Sequence, residues 1–218
     1  MTLTQPPPDC TLCPRLVDFR HEARRLHPDW HNSPVPYWGD AAARLIIVGL
    51  APGLQGANRT GRPFTGDYAG DLLYATLQKV GLATGSYDRR PDDGLELRGA
   101  LIVNAVACVP PQNKPTTTEI ATCRQFVARR LAEQDARVYL ALGRIAHDSL
   151  LVALGHKRSA YPFKHGAEHR LGGAARLFDS YHCSRYNTNT GVLTTEMFED
   201  VVRRAAVASG FHNGVPAF

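Results

Sequence analysis

Residues 44–74 read RLIIVGLAPGLQGANRTGRPFTGDYAGDLLY, and their order decides the fold. Leu45–Val48 is a short apolar run of the kind that forms a buried strand. It empties into a loop crowded with Gly, Pro, Asn and Arg, too long and too particular in composition for a simple connector. An amphipathic helix follows, with Leu72, Leu73, Ala75, Leu77 and Val80 as its core-facing residues. Strand, glycine-rich loop and helix in this order build sites at the carboxyl edge of α/β sheets.

The rest of the chain repeats the alternation. Ala100–Ala105, Val138–Leu142 and Arg176–Tyr181 read as three further strands. Helices are expected over residues 16–26, from a Thr118 cap to about Gln134, after Gly143-Arg144 to about Leu154, and from Thr195 to near Gly210. Strand and helix alternating four times predict a three-layer α/β/α sandwich around a four-stranded parallel sheet. Residues 27–40 are expected to be a loop packed over the domain, 84–98 a surface excursion, 155–173 a loop, and the tail polar and loose. The proline-rich residues 1–9 read as a flexible lead-in, and 1–218 as one domain.

Composition narrows the function classes. A 44% hydrophobic content supports a core without disulfides. A formal charge of +5 leans modestly towards a polyanionic partner. No run is long and apolar enough to span a membrane, and no signal-peptide pattern opens the chain. A cytoplasmic monomer is expected. Cys10 and Cys13 form a C-x2-C pair, and Cys108 and Cys123 a C-x14-C pair. Four thiolates suit an iron–sulfur cluster or zinc, and the wide second spacing leans towards iron–sulfur. Cys183 is left over as a free thiol.

Each strand end in this reading delivers chemistry to one edge of the sheet. The first delivers Gly49, Leu50, Ala51 and Gly53, the second Asn104, the fourth His182. An Asn amide reads a paired donor and acceptor edge of a base. A His donates to a developing oxyanion, and the Phe64 ring stacks on a planar ligand. Each has a plainer reading: Asn104 as a turn cap, His182 on a buried carbonyl, Phe64 as core. Their joint placement favours a site. Arg59, Arg62, Lys114, Lys164 and Arg185 are candidates for phosphate contact, and residues 184–191 for a wedge into the duplex.

The loop GLAPGLQGANRTGRPFTGD, the strand end IVNAVACVPPQNKP, the segment HGAEH and the stretch YHCSRYNTNTGVLT together resemble the uracil-DNA glycosylase superfamily, in particular its type 5 iron–sulfur branch. The resemblance runs from Cys10 to about Thr194. It implies excision of uracil, hypoxanthine and xanthine from double- and single-stranded DNA, with no lyase step. It implies Phe64 stacked on the flipped base, Asn104 on its edge, and His182 on its departing charge. It implies Cys10, Cys13, Cys108 and Cys123 on a structural [4Fe-4S] cluster. Ala51 stands where many members carry a water-binding Asp or Asn, which leaves Asn58 and Asp67 as candidates to position water. Gly53 stands where those members carry a bulky Tyr, which predicts a wider pocket. The main alternative is an iron–sulfur or zinc nucleic-acid-binding module without catalysis. A phosphate-binding enzyme is disfavoured, since GLAPGLQG lacks both a P-loop ending and a G-x-G-x-x-G pattern.

Overall fold

The computed structural model of the protein describes residues 4–212 and 215–216. Helix α1 (Pro14–Leu26) precedes a short edge strand β1 (Trp38–Gly39) and the buried β2 (Leu45–Gly49). The long loop contains one helical turn, α2 (Ala57–Thr60), before α3 (Tyr68–Lys79). A small ribbon of β3 (Ala83–Thr84) and β4 (Glu96–Leu97) leads to β5 (Ala100–Asn104), α4 (Thr117–Glu133), β6 (Val138–Leu142) and α5 (Arg144–Ala153). The hairpin of β7 (Glu168–Gly172) and β8 (Ala175–Ser180) is followed by α6 (Arg185–Asn189) and α7 (Thr195–Ala208). A ribbon of β9 (Phe211–His212) and β10 (Val215–Pro216) comes last.

The sheet order is β1-β5-β2-β6-β8-β7. The four expected strands are its centre, and they run parallel. The expectation of four strands in all is corrected to six, because β1 and β7 add antiparallel edges. Both edge strands lie where loops were expected. The first pairs only two residues, and the second reads EHRLG, with one buried position. Edge strands bury little, so their sequences carry no apolar run to mark them.

Burial explains the layers. Every residue of β2, β5 and β6 is buried. Successive side chains leave a strand on opposite faces. Leu45 and Ile47 join one core with Leu73 and Leu77 of α3 and Phe198 and Val202 of α7. Ile46 and Val48 join the other with Val127 and Leu131 of α4 and Leu150 of α5.

Local chemistry sets the boundaries. Three threonines precede Glu119, and the cap is Thr116, not Thr118. Only Thr116 stands three residues before Glu119, and the two form a reciprocal capping box. Glu119 also takes both arms of the Arg15 guanidinium, at 2.8 and 2.7 Å, which ties α1 to α4. The lead-in is placed from Thr4 onwards: Pro6 is buried and Asp9 pairs with Arg24. The excursion at 84–98 is mostly exposed, as expected, but it anchors to the core through the buried Leu95 and Leu97. The tail is paired rather than loose as far as it is described.

The HGAEH segment builds a buried network. His147 on α5 faces the Asp179 carboxylate with Nδ1 (2.7 Å) and the Tyr161 carbonyl with Nε2 (2.8 Å). Both partners only accept, so the ring donates twice and is the imidazolium. The other carboxylate oxygen accepts from His169 Nε2 at 2.9 Å. His165 accepts from the Tyr181 backbone N–H, beside His182.

Candidate active site

A cleft of about 390 Å³ opens at the carboxyl edge of the sheet. Its lining includes Leu50, Ala51, Gly53, Phe64, Asp67, Asn104, His182 and Arg185. The structure therefore brings together residues from the ends of three strands that the sequence marked separately. Gly49 forms the floor between two of them. A Cβ there would lie 2.4 Å from Asn104 Oδ1 and 2.8 Å from Phe64 Cζ, so only a glycine lets amide and ring meet. Asn104 is buried, and its Oδ1 has no hydrogen-bond partner among the described residues. A buried acceptor without a donor costs roughly 1–3 kcal/mol, which marks it for a ligand.

Phe64 is held in an uncommon backbone state. Its φ is +51°, which a bulky side chain rarely adopts. Strain of this kind persists where the surroundings over-determine it. Here the Tyr87 hydroxyl donates to the Phe64 carbonyl at 3.2 Å, and Gly70 of α3 packs so close that a Cβ would lie 1.8 Å from the same oxygen. The ring then faces His182, with centroids 6.0 Å apart and planes inclined by 27°. Burial lowers the His182 pKa to about 4, so the ring is neutral near pH 7 and acts as a hydrogen-bond donor rather than a cation. Its carbonyl accepts from Asn187 Nδ2 at 2.8 Å, which fixes the turn after β8.

The two candidates for positioning water separate. Asp67 lines the cleft and caps α3, accepting from the Gly70 N–H at 3.4 Å. Its carboxylate fills the space over two glycines: a Cβ would lie 3.1 Å from Oδ2 at Gly53 and 2.3 Å at Gly56. Burial raises its pKa. Asn58 is outside the cleft lining, buried beneath the loop, where Nδ2 donates to Asn32 Oδ1 at 2.9 Å. It props the loop rather than facing the cavity.

The charges separate too. Arg185 is exposed on the cleft rim, with its guanidinium 5.3 Å from the Tyr68 ring. Arg59, Lys114 and Lys164 are exposed but outside the lining. Arg62 is corrected: its side chain is 3% exposed and doubly bonded to the buried Asp93, at 2.8 Å on each arm. It also lies against the Trp38, Tyr74 and Tyr87 rings, so it cannot reach a phosphate. Cys183 is fully buried, donates to the Ala69 carbonyl, and has its pKa pushed up to about 12 by burial. It is an inert structural thiol, not a nucleophile.

Sequence reasoning missed Tyr68 and Asn113, which also line the cleft, as does Ser184 at the start of the expected wedge. Asn113 follows Gln112 in left-handed backbone, with φ of 57° and 56°. The prolines bracketing that pair were its only signal.

The four paired cysteines line one cavity between α1, α4 and the segment after β5. Cys13 caps α1 and Pro14 opens it, which brings the C-x2-C pair to Cys108 and Cys123. The surroundings suit an anionic group. Arg20 is buried with Nη1 3.7 Å from Cys108 Sγ and Nε unpartnered, and the Ala107 N–H donates to Cys123 Sγ at 3.4 Å. Burial pushes the free thiols up, Cys108 to about 11 and Cys123 to about 12, so they ionise only against a metal.

Residues 36–206 match the family model described as the uracil DNA glycosylase superfamily. The chain belongs to that superfamily. A protein named type-5 uracil-DNA glycosylase from Thermus thermophilus is 47% identical over 208 residues, covering 92% of this chain and 94% of that protein. One of the same name from Pyrobaculum aerophilum is 42% identical, covering 93% and 90%. One from Mycobacterium tuberculosis is 41% identical, covering 92% and 78%. Among superfamily members this chain thus aligns almost end to end with proteins of the type-5 name. Proteins named type-4 uracil-DNA glycosylase are similar over 51% of this chain (Archaeoglobus fulgidus, 35% identical) to 79% (Sulfurisphaera tokodaii, 26% identical).

Proposed function

We propose that the chain is a single-domain DNA repair glycosylase that excises uracil, and also hypoxanthine and xanthine, by hydrolysing the N-glycosidic bond. The observation that carries this is the unpartnered Asn104 Oδ1 beside the Phe64 ring. Deamination turns an amino group into a carbonyl and leaves a ring N–H next to it. Uracil, hypoxanthine and xanthine therefore share one edge, N–H beside C=O. An Asn amide meets that edge twice, with Oδ1 accepting and Nδ2 donating. Cytosine presents the reverse order.

The base first leaves the duplex, at a cost of a few kcal/mol that is least for mismatches. Arg185 takes a flanking phosphate, and Tyr186, 75% exposed on α6 beside the cleft, fills the gap in the stack. Phe64 then stacks on the base while Asn104 reads it. As the bond to the sugar lengthens, the base gains negative charge and His182 donates to it as a neutral imidazole. The sugar becomes oxocarbenium-like. Ala51 cannot activate water, so bond breaking precedes attack, and Asp67 orients the water and steadies the cation. Water adds to the sugar carbon, its proton ends on the base or in solvent, and the products are free base and an abasic site. The cleft lining includes no lysine to form an imine with that sugar, which supports a monofunctional enzyme.

Cys10, Cys13, Cys108 and Cys123 would hold a [4Fe-4S] cluster, whose part when bound is to cross-link α1 to α4. A tetrahedral zinc with Zn–S near 2.3 Å sets its sulfurs about 3.8 Å apart. Among the described residues the only trio of metal-ligating side chains within 4.8 Å is His147, His169 and Asp179, and the thiols stand wider. The cluster reading rests instead on the four cysteines lining one cavity beside the buried Arg20.

This reading takes the protein as a monomer acting on double- and single-stranded DNA. No helix of the described residues is long and apolar enough to cross a membrane, which suits the cytoplasm. The test is abasic-site formation on duplexes carrying each deaminated base. Cleavage after alkali with all three lesions is expected. Binding without base release would favour the non-catalytic module, and activity on uracil alone would overturn the shared-edge argument.

A further inference from the structure

The amino edge of the sheet, at the far end of the strands from the cleft, carries a row of arginines. Arg44 precedes β2 and Arg137 precedes β6, and the Arg137 N–H donates to the Arg44 carbonyl at 3.2 Å. The Arg176 N–H on β8 donates to the Arg137 carbonyl at 2.9 Å, and Arg170 on β7 pairs in register with Arg176. Four adjacent strands thus each carry one arginine at this edge, spread over three strand steps or about 14 Å, with Arg176 opposite Val138 and so one residue out of line with Arg137. All four arginines are exposed and border one cavity of about 490 Å³.

Like charges directly opposite each other across strands are destabilising, yet little offsets this row. Arg176 meets Glu168 at 3.3 Å and Arg137 meets Asp135 at 3.7 Å, both in the open. Arg44 and Arg170 have no acidic partner among the described residues. The end of α7 adds two apolar residues to the lining, Val207, 43% exposed, and Ala208.

We propose that this face docks an extended acidic segment of a partner protein that carries an apolar side chain. Guanidinium groups grip carboxylates in paired hydrogen bonds. In an extended peptide, alternate side chains recur about every 6.8 Å, so two or three carboxylates on one face fall within the length of the row, fewer than one per guanidinium. The apolar side chain covers Val207. The strands put about 16 Å between this edge and the cleft, so partner and DNA bind together.

The test uses full-length protein and a fluorescein-labelled peptide of four aspartates followed by two leucines, read by anisotropy. Salt-sensitive, saturable binding is expected. In the double variant Arg44→Glu, Arg170→Glu, which breaks no ion pair among the described residues, affinity should fall roughly tenfold or more. Melting temperature should not fall and uracil excision should stay unchanged, which separates this result from misfolding. A peptide with serines for aspartates, or glycines for leucines, should bind more weakly. No binding, or equal binding to the double variant, would overturn the proposal. So would displacement of the peptide by an oligonucleotide added after the cleft is filled with abasic DNA, since the face would then be a nucleic-acid surface.

Discussion

The side-chain amide of Asn104 and the ring of Phe64 meet over the bare Cα of Gly49, where an added Cβ would lie 2.4 Å from Oδ1 and 2.8 Å from Cζ. The spacing of amide and ring is therefore set by one missing methyl. Gly49→Ala should push them apart, destabilising the fold by roughly 1–3 kcal/mol through overpacking. Single-turnover excision should drop at temperatures where the variant is fully folded. A folded variant with a normal rate would show that the contact does not govern the site.

His182 is a neutral donor in this account. His182→Ala should lower single-turnover excision of uracil by roughly 10²–10³. Because burial holds its pKa near 4, wild-type excision should show no inflection from this ring between about pH 5.5 and 8. An inflection in that range that disappears in His182→Ala would mean that the ring titrates there.

The Arg62 and Asp93 pair is structural. Burial works against the Asp93 carboxylate, but the Arg62 guanidinium and two backbone N–H groups outweigh it and hold its pKa well below the usual range. Arg62→Ala leaves a buried carboxylate alone and should cost roughly 3–5 kcal/mol, seen as a large fall in melting temperature. DNA affinity below that temperature should be unchanged. A stable variant with weak DNA binding would restore Arg62 as a phosphate contact.

The His147 network makes stability depend on pH. Burial opposes the charged ring, but the Asp179 carboxylate and the Tyr161 carbonyl outweigh it and raise the pKa. A raised pKa stabilises the fold fully below the unfolded value of about 6.5, and the gain is lost as pH climbs through the folded value. The melting temperature gap between wild type and His147→Gln should therefore be widest near pH 6 and narrow towards pH 9. A gap that stays constant would mean that the ring is neutral in the fold.

Much of this could be read from the chain, and the failures share a cause. The buried parallel strands announce themselves because β2, β5 and β6 are apolar at nearly every position. Asn104 and His182 stood out because each ends or follows a strand, and Phe64 because it lies in the long loop after β2. The edge strands did not, since pairing at a sheet margin needs no apolar pattern. Arg62 looked like a surface charge because its partner Asp93 lies 31 residues away, in a segment that reads as solvated. Asn58 looked catalytic because it shares a loop with residues that are. Only the fold shows it bonded to Asn32 beneath that loop. Asn113 owes its place to two successive left-handed residues, a conformation that sequence flags weakly outside glycine.

The metal assignment has its own readout. Protein purified without oxygen should be brown, with iron and sulfide in equal amounts. Cys108→Ala should lose the visible absorption and melt lower. Colourless protein containing one zinc would contradict the cluster.

The most direct test of the central claim changes the substrate and leaves the protein intact. Methylating N3 of uracil removes the hydrogen that Asn104 Oδ1 is placed to accept, while weakening base pairing and so easing extrusion. In matched duplexes, wild-type protein should excise uracil faster than 3-methyluracil by roughly 10⁴, the discrimination of a site built around a buried hydrogen bond. Comparable single-turnover rates on the two bases would contradict the reading of Asn104 and the account built on it.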